Sequence, residues 1–172
     1  RYYTLPFPPE QKLADNREYG QAFRELLVDA TRVRLRTRVP TGFLLSGGLD
    51  SSSLVGIAEH TGLLASQGPL RTFSATFPDY PEIDERNYIA LVHAHPGVDG
   101  ARARDGSRFD ARFVRVDRTS PLEHLADTIA RHGEPFYSPN FFVDTLLLDE
   151  ARRSGVRLLL DGLDGDTTVG HG

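Results

Sequence analysis

Cysteine, methionine and tryptophan are absent from the 172 residues, and lysine occurs once, at Lys12. Without cysteine the chain has no disulfide, no thiolate metal site and no thiol nucleophile. Without methionine, Arg1 is not expected to be a start of translation, and the chain reads as a fragment of a longer protein. Long apolar runs are missing too. None approaches the roughly 18 to 20 residues of a membrane span, and the amino end lacks a signal-peptide pattern. Positive charge is not in excess: 20 basic residues, all but Lys12 arginine, face 24 acidic ones for a net charge of −4. That argues against a general nucleic-acid binder or a polybasic membrane anchor. The expectation is a soluble, cytoplasmic protein with neither nucleic-acid nor membrane partners. The length and a 39% hydrophobic content suit one domain.

What is present alternates between two periodicities. Residues 1–17 form a proline-rich, aromatic lead-in, and residues 18–172 form the domain. From Glu18, Phe23, Leu26, Leu27 and Ala30 recur at helical spacing. The continuation "TRVRLRTRV" has strand-like alternation, yet its arginines suit the last turns of a helix, and the helix is preferred. "TGFLLS" then reads as a buried strand, and residues 51–64 as a helix with Leu54, Val55 and Ala58 inward. "RTFSATF" reads as a second strand, about 84–95 as a helix, and "PGVDGARARDGSRFD" as a mobile polar segment. "ARFVRVD" is a third strand. "SPLE" at residues 120–123 has capping-box spacing and predicts a helix to His132, and another helix spans about 140–153. "VRLLLDG" is a fourth strand, apolar without alternation, as a strand covered on both faces should be. Alternating strands and helices imply an α/β fold, a doubly wound parallel sheet whose ligands sit outside the carboxyl ends of the strands.

The unusual polar residues fall at those ends. "SGGLDS" follows the first strand and "DGLDGD" the fourth. Gly47 and Gly48 leave room for an anion, successive amides and the helix start make a phosphate nest, and Ser46, Ser51 and Ser52 add hydroxyls. Asp50 is out of place beside phosphate unless a divalent cation lies between, and magnesium is suited to that role. Asp166, Asp164 or Asp161 is the candidate second carboxylate. Gly42 and Gly47 have the glycine separation of the Walker loop, but Gly48 and Leu49 stand where lysine and a hydroxyl residue must be, and no GxGxxG occurs.

"LSGGLDSS" (residues 45–52) resembles the pyrophosphate loop of the ATP-pyrophosphatases. With "TFSATF", "EIDERNYIA", "HGEPF" and "LLLDGLDGD" in order, the chain from about residue 30 resembles the synthetase domain of asparagine synthetase and its relatives, β-lactam synthetase and lasso-peptide cyclase. The resemblance implies the adenine-nucleotide alpha hydrolase-like fold, here truncated. It also implies an ATP-dependent carbon–nitrogen ligase that adenylates a carboxylate, releases pyrophosphate and passes the acyl group to an amine. Carried over by position, Leu45, Ser46, Gly47, Gly48, Asp50, Ser51, Ala75, Asp161 and Gly162 would bind ATP, Asp50 and Asp166 would bind Mg2+, and Glu134 of "HGEPF" would act on the substrate. The implied partners are a small-molecule or peptide carboxylate and an amine donor, with a glutaminase domain outside these residues. Leu163 stands where asparagine-forming members place a glutamate, which favours a specialised ligase such as a macrolactam cyclase. A catalytically inert nucleotide-binding module is the alternative. His93 and His95 lie two apart on a helix and point to different faces, so they are read as solvated. Asp84 and Glu85 are read as the start of that helix, and Tyr80 and Tyr88 as packing residues.

Overall fold

Asp15 opens the first helix, α1 (Asn16–Arg34): its carboxylate accepts from the amides of Arg17 and Glu18, at 2.8 and 3.0 Å. Arg32 and Arg34 sit in the last turn, at the negative end of the helix dipole. In this computed structural model, which describes residues 4, 9–95, 108–134, 140–163 and 165, the helix ends there, and residues 35–40 lead without a strand into β1 (Thr41–Leu44). The helical reading of "TRVRLRTRV" therefore holds for its first four residues. The rest runs out of helix towards Pro40, whose ring disfavours helical geometry in the residue before it.

The chain continues through α2 (Leu49–Thr61), β2 (Leu70–Thr76), α3 (Arg86–Ala94), β3 (Phe109–Arg115), α4 (Leu125–His132), α5 (Phe141–Arg153) and β4 (Leu158–Leu160). All three strand pairings are parallel, in the order β3-β2-β1-β4. The anticipated doubly wound parallel sheet is what the chain forms. Most of the segment read as mobile, residues 96–107, lies outside the described residues. "SPLE" caps less regularly than its spacing implies. Ser120 accepts from the Leu122 amide at 3.3 Å, and Pro121–His124 form a 3-10 turn before α4 begins.

Side chains alternate across the sheet. Phe43, Leu45, Leu70 and Leu160 pack with Val55 and Ala58 of α2 and Ile89 of α3 on one face. Phe73 packs with Leu147 and Ala151 of α5 on the other, joined by Leu44, Ala75 and Leu159. β4 contributes to both faces, which explains its unbroken apolar run. α4 joins α5 through the buried Thr128 and Thr145 hydroxyls, 3.2 Å apart. No helix among the described residues is long and apolar enough to cross a membrane.

This order places a reversal at β1. The chain moves outward from β1 to β2 and β3, then returns to lay β4 on the other side of β1. The loops leaving β1 and β4 therefore start side by side at one edge, where doubly wound sheets form their ligand crevice.

Candidate functional site

The turn after β1 is anchored at its root. The amide of buried Leu45 donates to the Phe73 carbonyl at 2.9 Å, and the Ser74 hydroxyl donates to the Leu45 carbonyl at 2.6 Å. Beyond it the chain folds on its own hydroxyls. The Ser46 amide donates to Ser51 Oγ at 3.2 Å, the Ser46 and Ser51 hydroxyls lie 3.1 Å apart, and the Gly48 amide donates to Ser46 Oγ at 3.3 Å. Gly48 is the N-cap of α2 and brings no side chain to cap that helix, so its first amides are open to other acceptors. The Ser52 hydroxyl, one residue past Ser51, is buried without a hydrogen-bond partner among the described residues.

Gly47 is required twice over. Its φ is +88°, and a Cβ there would stand 2.8 Å from Tyr88 Cβ and 3.3 Å from the Ile89 nitrogen. The first turn of α3 is thus laid directly on the glycine turn. Asp84 holds that turn to the end of β2: its carboxylate accepts from the Phe77 amide at 3.1 Å and from the amide and Nε of Arg86. The Arg86 guanidinium holds the Asp84 carboxyl below its ordinary range. Next to it, burial pushes the Glu85 carboxyl up.

The turn after β4 closes onto the first. Asp161 Oδ1 accepts from the Leu163 amide at 3.2 Å, and the Gly165 amide donates to the Gly162 carbonyl at 3.2 Å. A Cβ on Gly162 would lie 2.6 Å from the Ser51 nitrogen and 2.9 Å from the Asp50 carbonyl carbon. One on Gly165 would overlap the Asp50 carboxylate, 2.5 and 2.6 Å from its oxygens. "SGGLDS" and "DGLDGD" therefore meet across adjacent strands, with Asp50 at the seam.

The remaining candidates are placed less centrally. Ala75 sits near the carboxyl end of β2 with its side chain in the α5-side core. Asp161 is exposed, and Leu163 is 75% exposed. Glu134 is exposed in the turn after α4 and makes no hydrogen bond or ion pair among the described residues. Asp164 and Asp166, expected as second carboxylates, lie outside the described residues. No group of three or more metal-ligating side chains occurs among the described residues.

Two features escaped the sequence reading. Tyr88 is a packing residue, as read, but what it packs on is Gly47, through its Cβ, while the residue as a whole stays 61% exposed. His93 is not solvated. It is half-buried, its ring centroid 4.6 Å from that of Phe109 and its Nε2 3.2 Å from Thr72 Oγ1. Neither a glycine contact nor a histidine stack has a local signature, because each joins residues far apart in sequence.

Residues 22–170 match the asparagine synthase family. The chain belongs to that family. It is 33% identical, over 99% of its length and 30% of the relative's, to a putative glutamine-hydrolyzing asparagine synthetase 2 of Methanocaldococcus jannaschii. It is 43% identical, over 99% of its length and 32% of the relative's, to the glutamine-hydrolyzing asparagine synthetase 1 of Saccharomyces cerevisiae. The chain thus spans about a third of the length of these relatives. A looser structural likeness, with a TM-score of 0.39 and 19% identity, covers 85% of this chain and 52% of an NAD+ synthetase from Burkholderia pseudomallei. The asparagine synthase match takes in both glycine turns and every strand.

Proposed function

We propose that this chain is the ATP-binding core of an amide-forming ligase, one that splits ATP to AMP and pyrophosphate while activating a carboxylate for capture by an amine. The observation that carries the reading is the contact of the two glycine turns at Asp50, where the strand order reverses. The Gly47 amide, the start of α2 and the Ser46 and Ser51 hydroxyls, which the Ser46 and Gly48 amides orient, would hold the departing pyrophosphate. Preorganised donors aimed at growing negative charge supply the largest share of catalysis in such sites.

Asp50 would repel phosphate oxygens in a turn otherwise rich in donors, which supports a magnesium ion between them, held by Asp50 and, as the family resemblance implies, by Asp166. When bound, Mg2+ offsets the charge between those carboxylates and the phosphates. Leu45, Ala75, Asp161 and Gly162 would line the nucleotide, Ala75 through its backbone. Glu134 would face the carboxylate substrate, a small molecule or a peptide.

The test is carboxylate-dependent exchange between ATP and labelled pyrophosphate in the intact protein. Asp50→Asn is expected to lower the exchange rate by about 100-fold or more. Nucleotide binding without exchange across a broad panel of carboxylates would instead favour an inert binding module. Failure to bind MgATP at all would end the proposal.

A further inference from the structure

α2 and α3 lie on the same face of the sheet and share one core. At their amino ends they flank the glycine turn: Gly48 caps α2, and Glu85, Tyr88 and Ile89 of α3 pack on Gly47. At their carboxyl ends one side chain joins them. Arg108, the residue before β3, pairs through Nη1 with Glu59 near the end of α2, and through Nη2 donates to the carbonyls of His93, at 2.9 Å, and His95 at the end of α3.

This clasp is placed where its chemistry counts. The Arg108 and Glu59 side chains are 16% and 9% exposed, so removing either partner leaves a largely buried charge without its counter-ion. The guanidinium also meets carbonyls that the end of α3 leaves without helical partners, and its charge complements the helix dipoles there. A lysine would keep the charge but lacks the planar fork that serves a carboxylate and two carbonyls together. Ile89, fully buried in the first turn of α3, lies against Gly47 and fixes the amino end of that helix on the glycine turn. Because interiors are close-packed and helices stiff, a change of spacing at the clasp carries along α3 to the turn it covers.

We infer that Glu59 and Arg108 are positioning residues for the glycine turn: by fixing the far ends of α2 and α3 they set the shape of the anion cradle at residues 46–51. The inference rests on the function proposed above in so far as that cradle holds the phosphates of ATP. It concerns residues that touch neither nucleotide nor metal.

The test uses the intact protein and the variants Arg108→Lys, Glu59→Gln and the apolar pair Glu59→Met/Arg108→Met. Two readouts are taken well below the unfolding temperature, the Kd for MgATP and amide hydrogen exchange at residues 46–52 without nucleotide. Both single variants are expected to speed exchange at those amides, and to raise the Kd, about tenfold. The apolar pair should recover thermal stability without recovering either readout, since it restores packing but not the bonds to the α3 carbonyls. Unchanged exchange in the single variants, or full recovery of exchange in the apolar pair, would reduce the clasp to ordinary stabilisation and overturn the inference. Faster exchange in the single variants, together with a wild-type protein that binds no MgATP, would leave the clasp standing and reject the function instead.

Discussion

At the level of single residues, three glycines with different surroundings separate geometry from flexibility. Gly47 combines φ +88° with α3 pressed against it, so Gly47→Ala is expected to cost about 1–3 kcal/mol and to abolish tight MgATP binding. A Cβ on Gly165 would meet the Asp50 side chain first, so Gly165→Ala is expected to displace that carboxylate and weaken MgATP binding more than it lowers stability. Gly56, inside α2 with nothing within 4 Å, is the control: Gly56→Ala should stabilise by up to about 1 kcal/mol. Urea midpoints and nucleotide titrations of the three variants read these outcomes, and an order other than 47, 165, 56 in lost affinity would contradict the seam described here. Gly47 and Gly48 were legible in the sequence because a phosphate nest needs amides without obstructing side chains. The second reason for Gly47, the approach of Tyr88, was not, since residues 47 and 88 meet only after two strands and a helix are in place.

Among the elements, α3 carries the most testable electrostatics. Its His93 is wedged between β2 and β3, and burial, with Arg108 as the lesser cause, lowers its pKa from the ordinary 6.5. The neutral form is therefore favoured in the fold, and as pH falls the unfolded chain takes up the proton first. Stability is full above about pH 6.5 and declines as pH drops through that value toward the lower folded pKa. His93→Gln, which keeps a polar partner for Thr72, should flatten the melting temperature between pH 7 and pH 5, and an unaltered slope would assign the acid sensitivity elsewhere. Helix periodicity alone could not foresee this. On a helix, residues 93 and 95 face different ways, but which way meets solvent depends on the strands beneath. The capping box at Ser120 was over-read for a related reason: its spacing allows an α-turn, while the chain takes the tighter 3-10 turn there.

Across the whole molecule, the alternation of strands and helices was enough to foresee a parallel sheet, because parallel neighbours require crossover helices. The matching glycine-aspartate turns after the first and fourth strands pointed to one ligand edge, a chemical clue where hydrophobic pattern offered none. The division of labour between faces was less visible. Phe73, fully buried, looks away from α2 and α3 and anchors α5 to the sheet, with its ring lying over Gly42. Phe73→Ala is expected to cost about 3–5 kcal/mol and to lower cooperativity across the domain, measurable by chemical denaturation.

Setting the last strand beside the first also dictates an order of arrival. Gly42 of β1, paired with Arg71 of β2, waits for Leu159 of β4, more than a hundred residues downstream, before its second neighbour exists. During synthesis the serine-rich half of the crevice can form early, while the half facing it comes only with the crossover to β4, the slow and entropically costly kind of contact. A nascent or nicked chain would then offer half a crevice, and competence toward nucleotide would appear late and all at once.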